Sequence, residues 1–232
     1  MLLRNSDFNH GQGLYIHIRT KIHRWWSFVE SAVIQIGDDT LEVVGAEDKG
    51  KRYYVNGLPG DYVDTSGMMP FLIGGFAVRY RVLGDRKFQF KIFLDHEQAV
   101  VIKAIKDFLR VEVQKPTVED FSKSSGLLGS FGGDDVMLGR DGVTELTDPI
   151  TFGKHWQVQR TEPMLFHNVD GPQHPQACAM PDIQKMEIRR NLRGSMSREE
   201  AAAACSNVSP GELDECIFDV MATDDVDMAG AY

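Results

Sequence analysis

The sequence predicts a mainly β protein: an antiparallel β-sandwich, a Pro-rich linker, and a small C-terminal α-helical hairpin. Three observations carry this. Roughly the first hundred residues alternate apolar and polar side chains with a period of two. Short turn-forming clusters of Gly, Asp and Asn interrupt that alternation. Beyond residue 195 the texture changes to helix caps, an alanine run and apolar stripes of helical spacing. Many short strands separated by Gly and Asp favour an antiparallel sandwich over a parallel sheet.

The first strand signal is "GLYIHIRT", with Leu14, Ile16 and Ile18 on one face and Tyr15, His17 and Arg19 on the other. In "SAVIQIG", Ala32, Ile34 and Ile36 oppose Val33 and Gln35. "DDTLEVV" follows, which makes a hairpin with Gly37, Asp38 and Asp39 at its bend. "KRYYVNGLPGDYV" carries an Asn56-Gly57 turn. "FAVRYRVLGDRKFQFKIFL" reads as another hairpin, bending at Gly84-Asp85. The spacing of "AVVIKAIKDFLRVEVQKP" also suits a helix. Its β-branched content and "RVEV" alternation favour two strands with a bend near Lys106-Asp107. These segments define a β domain over residues 1–160.

Residues 161–195 are rich in proline and lack periodicity, so they are expected to form an ordered loop or linker. Residues 196–232 then form the helical hairpin. Ser197 and Glu200 are spaced for a capping box ahead of Ala201 to Ala204. In the second helix Ser209 can cap, Pro210 fits the first turn, and Leu213, Cys216, Ile217 and Val220 share a stripe. Cys205 and Cys216 would lie across the seam of this hairpin, as free thiols or as a disulfide. Cys178, in the linker, is left over.

The 232-residue chain carries a formal charge of −9, which argues against a nucleic-acid partner. No run of eighteen apolar residues is present, so no membrane span is expected. The stretch "SSGLLGSFGGDDVMLGRDG", residues 124–142, invites a chemical role. It lacks the lysine and hydroxyl of a phosphate loop, and the first glycine of a nucleophile elbow around Ser130. It also lacks the alternating acids of an EF-hand. Asp134, Asp135 and Asp141 could still ligate a hard cation; otherwise the segment is two tight turns. The histidines are scattered, with no HExxH pattern. Trp25 and Trp26 beside Arg24 could form a stacking platform for a glycan, or serve as one core and one rim side chain. No catalytic residues are assigned, and no enzyme activity is expected.

The order of features from Gly126 to Trp156 resembles the C-terminal half of a von Willebrand factor type D domain. Gly126, Leu127, Gly129, Phe131, Gly133, Asp134, Asp135, Asp141, Gly142, Phe152, Gly153 and Trp156 fall on that family's pattern, which ends in an F-G-x-x-W strand. Upstream strands are similar to versions of the family in unicellular algae, and "CIFDVMATDDVDMA" resembles the Cys-Phe-Asp segment that follows the domain elsewhere. The departures are specific. Leu128 stands at the family's cysteine, and Ser130 and Gly132 at two asparagines that help bind calcium. The opening Gly-Asp-Pro-His strand has no counterpart, which implies an N-terminally incomplete chain. Asp148-Pro149 lies in another context, so the family's autocleavage does not carry over.

The resemblance implies a non-catalytic extracellular or cell-surface module for protein–protein or matrix contacts, within a larger parent protein. It implies a Cys205–Cys216 disulfide. It leaves a degenerate calcium loop of Asp134, Asp135 and Asp141, with affinity no better than about millimolar. The competing expectations are a carbohydrate-binding module or accessory domain of a secreted hydrolase, using Trp25 and Trp26, and an inactive intracellular fragment.

Overall fold

A computed structural model describes residues 1–23, 26–45, 52–61, 71–132, 136–171, 174 and 196–232. The chain divides into two compact units: residues 1–20 with 29–178, and residues 21–28 with 179–232. Among the described residues, no helix is long and apolar enough to cross a membrane.

The first unit is built on two antiparallel sheets, of which only residues 21–28 group with the second unit. The first sheet contains β1 (Leu3–Asn5), β2 (Leu14–His23), β3 (Trp26–Ile36), β4 (Asp39–Val44), β5 (Arg52–Val55) and β6 (Leu58–Asp61), ordered as in the sequence. The second contains β7 (Phe71–Ile73), β8 (Phe76–Gly84), β9 (Lys87–Phe93), β10 (Ala99–Ile105) and β11 (Phe108–Gln114), again in sequence order. Both sheets are therefore meanders, in which each strand pairs with its neighbours in the chain.

The turns follow from local chemistry. Ile36 pairs with Asp39 across Gly37-Asp38, and Val55 with Leu58 across Asn56-Gly57. Asn56 and Gly57 both have positive φ, the conformation that matches the right-handed twist of a two-residue hairpin. Ile105 pairs with Phe108 across Lys106-Asp107, with Lys106 at φ 54°, so this segment is two strands as its alternation indicates. One bend shifts by a residue. Gly84 pairs with Lys87, leaving Asp85-Arg86 at the tip, because the ladder slips between Val82 and Gly84.

The alternation read from sequence sends one face of each sheet into a shared core. Ile16, Ala32, Ile34, Leu41 and Val43 come from the first sheet; Val78, Phe90, Ile92, Val100 and Ile102 come from the second. Tyr53 bridges the two, its ring 5.0 Å from Phe90 and 6.0 Å from Tyr80. The arrangement is sandwich-like. One end is closed by Phe8, from the kinked turn α1 (Phe8–Gly11). Its ring lies 5.7 Å from Phe76 and 5.9 Å from Phe121 of helix α2 (Val118–Phe121).

The segment expected as an F-G-x-x-W strand is instead helix α3 (Pro149–His155). Asp148 accepts hydrogen bonds from Thr151 N and Oγ1, and Pro149 occupies the first turn, where its missing N–H costs nothing. A short hairpin of β12 (Met137–Leu138) and β13 (Glu145–Leu146) precedes it.

In the second unit, helix α4 (Arg198–Ala204) has the full capping box of Ser197 and Glu200. Helix α5 (Leu213–Thr223) starts later than the Ser209-Pro210 signal suggests, because Ser209 and Glu212 close a separate turn first. Asp224, at φ 57°, ends the helix, and a 3-10 turn over Val226–Ala231 follows. Cys205 and Cys216 are joined by a disulfide with their Cα atoms 6.1 Å apart. Cys178 lies outside the described residues.

Both linked cysteines are buried, and the loop they close is short. On the chain-entropy account, replacing Cys205 and Cys216 with alanine should cost the helical unit about 2–3 kcal/mol. Urea melts followed by far-UV circular dichroism, with and without reductant, should show the helical signal lost earlier in both the reduced and the substituted protein.

Candidate functional site

The Gly- and Asp-rich segment is held chiefly by backbone contacts with β1. Arg4 N donates to the Ser125 carbonyl (2.7 Å) and Ser125 N to the Arg4 carbonyl (2.9 Å). Leu128 N continues the contact to the Leu2 carbonyl (3.3 Å). The segment therefore covers the outer edge of the first sheet, whose backbone groups would otherwise be exposed for pairing. Gly126 passes so close that a Cβ there would lie 2.2 Å from the Leu2 carbonyl oxygen. Gly129 then closes a turn onto Gly126. Asn5 fixes the N-terminal end through Asp120 O (2.6 Å) and Ser124 Oγ (3.3 Å).

Of the three candidate calcium ligands, Asp134 and Asp135 lie outside the described residues. Asp141 is described, and its carboxylate closes a turn. It accepts from Val143 N (3.1 Å), Thr144 N (2.9 Å) and Thr144 Oγ1. Those bonds, led by the Thr144 hydroxyl, hold its pKa down at about 2. Among the described residues, no group of three or more His, Cys, Asp or Glu side chains is placed to hold a metal ion. Trp25 also lies outside the described residues, as does the side chain of Trp26, so the proposed stacking pair is not positioned.

The third tryptophan anchors the end of the loop. Trp156 is buried and donates from Nε1 to the Leu138 carbonyl (3.0 Å). The Arg4 and Arg140 guanidinium groups lie 5.7 and 5.6 Å from its ring. Arg140 also binds Glu162 (2.6 Å) and donates to the carbonyls of His155 and Gln157. This knot ties the β12–β13 hairpin, the end of α3 and β1 together. The family pattern singles out Trp156 but not Arg140, whose role comes from contacts distant in sequence.

A second polar cluster lies on the outer face of the first sheet and has no sequence signature. Arg19 on β2 and Glu42 on β4 are both buried, with Arg19 Nη1 3.8 Å from Glu42 Oε1. Residues 165–168 lie over them. His167 N (2.5 Å) and Asn168 N (3.0 Å) donate to Glu42 Oε2, and Phe166 lies 4.0 Å from the Arg19 guanidinium. The His167 ring meets Thr40 Oγ1 at 2.8 Å. Burial pushes the Glu42 pKa up, opposed by the two backbone N–H groups and by Arg19; burial likewise lowers that of Arg19. Among the described residues, Arg19 Nε and Nη2 have no hydrogen-bond partner. Its packing makes the cluster a fastening for residues 165–168.

His17, on β2, is buried, with its pKa lowered to about 4. Burial is the main cause; repulsion from the chain's amino group and Arg140 adds to it, and Glu162 opposes it.

Three outcomes follow from these contacts. Gly126→Ala forces a Cβ against the Leu2 backbone and should cost about 1–3 kcal/mol, read as a lower urea midpoint. His17 binds a proton more weakly folded than unfolded. Its contribution is therefore complete above about pH 6.5 and lost as pH falls toward about 4. The stability change should be on the order of 3 kcal/mol, and a His17→Gln variant should flatten that part of the urea-midpoint profile. Calcium at about 0.1 mM should raise stability by under about 0.1 kcal/mol if its affinity is no better than millimolar, so melting curves with calcium and with chelator should superimpose. No family model matches the chain, and no curated protein matches it.

Proposed function

We propose that the chain is a non-catalytic module that acts outside the cell or at its surface, where it makes protein–protein or matrix contacts. Its fold is read as an antiparallel sandwich of the von Willebrand factor D type. The observation that carries the proposal is the Cys205–Cys216 disulfide. Such bonds persist in oxidising compartments, and small units with little core use them most. The sandwich-like pair of sheets and the Gly126-to-Trp156 pattern support the same reading; helix α3 departs from it. In this setting the Gly- and Asp-rich loop serves the scaffold by covering a sheet edge and anchoring Trp156.

The test uses protein secreted from a eukaryotic host. Non-reducing peptide mapping should find Cys205 joined to Cys216. The immobilised protein should bind saturably to an extracellular protein fraction and leave a glycan array empty. Both cysteines alkylated as free thiols would overturn the compartment. Glycan binding would replace the module's protein partner with a carbohydrate. Turnover of an ester, nucleotide or glycan, abolished by a substitution within the chain, would overturn the non-catalytic reading.

A further inference from the structure

The C-terminal unit presents an exposed aromatic ring on an acidic helix face. Helix α5 buries Cys216, Ile217, Val220 and Ala222. Phe218 lies off that stripe and is 57% exposed. Together with Asp214, Glu215, Asp219 and Tyr232 it lines a shallow concavity. Asp214 and Glu215 precede Phe218 by four and three residues, so all three share one helix face. Asp219 follows on the next row, and its carboxylate accepts a hydrogen bond from the Tyr232 hydroxyl at 2.7 Å. Asp214 also meets Arg198 at 2.8 Å, in an exposed pair that contributes little energy.

The charge of the chain is concentrated here. Residues 196–232 contain nine Asp and Glu residues and one basic residue, Arg198, for a net −8 against −9 for the whole chain. An exposed aromatic ring within a carboxylate-lined concavity suits a partner that is both cationic and partly apolar. A guanidinium or ammonium group can lie on the ring while the carboxylates accept its N–H groups. The negative field around it attracts basic segments and repels nucleic acid and anionic lipid surfaces.

We propose that this face docks a lysine- or arginine-bearing peptide segment of a partner protein, with Phe218 as the apolar anchor and Asp214, Glu215 and Asp219 as the cation acceptors. The proposal rests on the reading of the chain as a binding module and names the chemistry of one partner.

The test uses the full oxidised chain and a fluorescein-labelled peptide of alternating lysine and leucine, followed by fluorescence anisotropy. The wild type should bind, and the same peptide with glutamate in place of lysine should not. Phe218→Ala should weaken binding roughly tenfold with unchanged circular dichroism, because an exposed ring carries little folding energy. Asp214→Asn with Glu215→Gln should weaken binding and flatten its salt dependence. Asp85→Asn with Glu119→Gln, which removes the same charge from the first unit, should leave affinity within about twofold.

Equal binding by Phe218→Ala, or equal losses from the two charge-neutralised pairs, would show diffuse attraction and overturn the proposal. So would a wild-type protein that ignores the peptide while retaining its extracellular partner, and that result would leave the module reading intact.

Discussion

Glu42 has no solvent contact, yet it sits on the central strand pair of the first sheet. A carboxylate there must be matched by donors or neutralised, and removing its partners would leave a strongly penalised buried charge. The surrounding chain supplies that match at Oε2, while Oε1 has the Arg19 charge nearby but no hydrogen bond among the described residues. Arg19 reaches it from β2, and two successive backbone N–H groups come from residues 167 and 168. Phe166 stacks near Arg19, and the His167 ring binds Thr40 on the same strand as Glu42. The pair therefore sets the path of the segment that follows α3. A hydrophobic strap could cover the same area, but it would not fix the register of 165–168 through directional bonds.

The second constraint is the sheet edge. β1 is three residues long and would present unpaired backbone groups on its outer side. The glycine-rich segment meets that need because Gly126 lets the backbone approach more closely than any side chain would permit. Arg140 and Trp156 then secure the far end of the same segment. The loop's composition, suggestive of a phosphate or metal cradle when read in isolation, is explained at Gly126 and Asp141 by backbone approach and turn closure.

What was legible in the sequence follows the range of the interactions. Hairpins with short bends, such as Asn56-Gly57 and Lys106-Asp107, are set by neighbouring residues and were readable. So was the capping box of Ser197 and Glu200. The single-face alternation was only half the account. Val33, Glu42 and Val101 point away from the central core and are still buried, so a period-two pattern understated how enclosed the strands are. The helix over Pro149–His155 carried its own cap signal in Asp148 and Pro149, which the family pattern displaced. The Arg19–Glu42 pair had no signature because its members are joined only by tertiary packing.

The meander order of both sheets also bears on how the chain assembles. The pairings from β3 to β6 and from β7 to β11 connect consecutive segments, so their loop-closure entropy is small and they can form early. The bridge from Arg4 to Ser125 is different, since it must bring together residues separated by most of the first unit. On this topology the edge is sealed late, after both meanders exist. Until then β1 and its neighbour expose a sheet edge open to strand exchange between molecules.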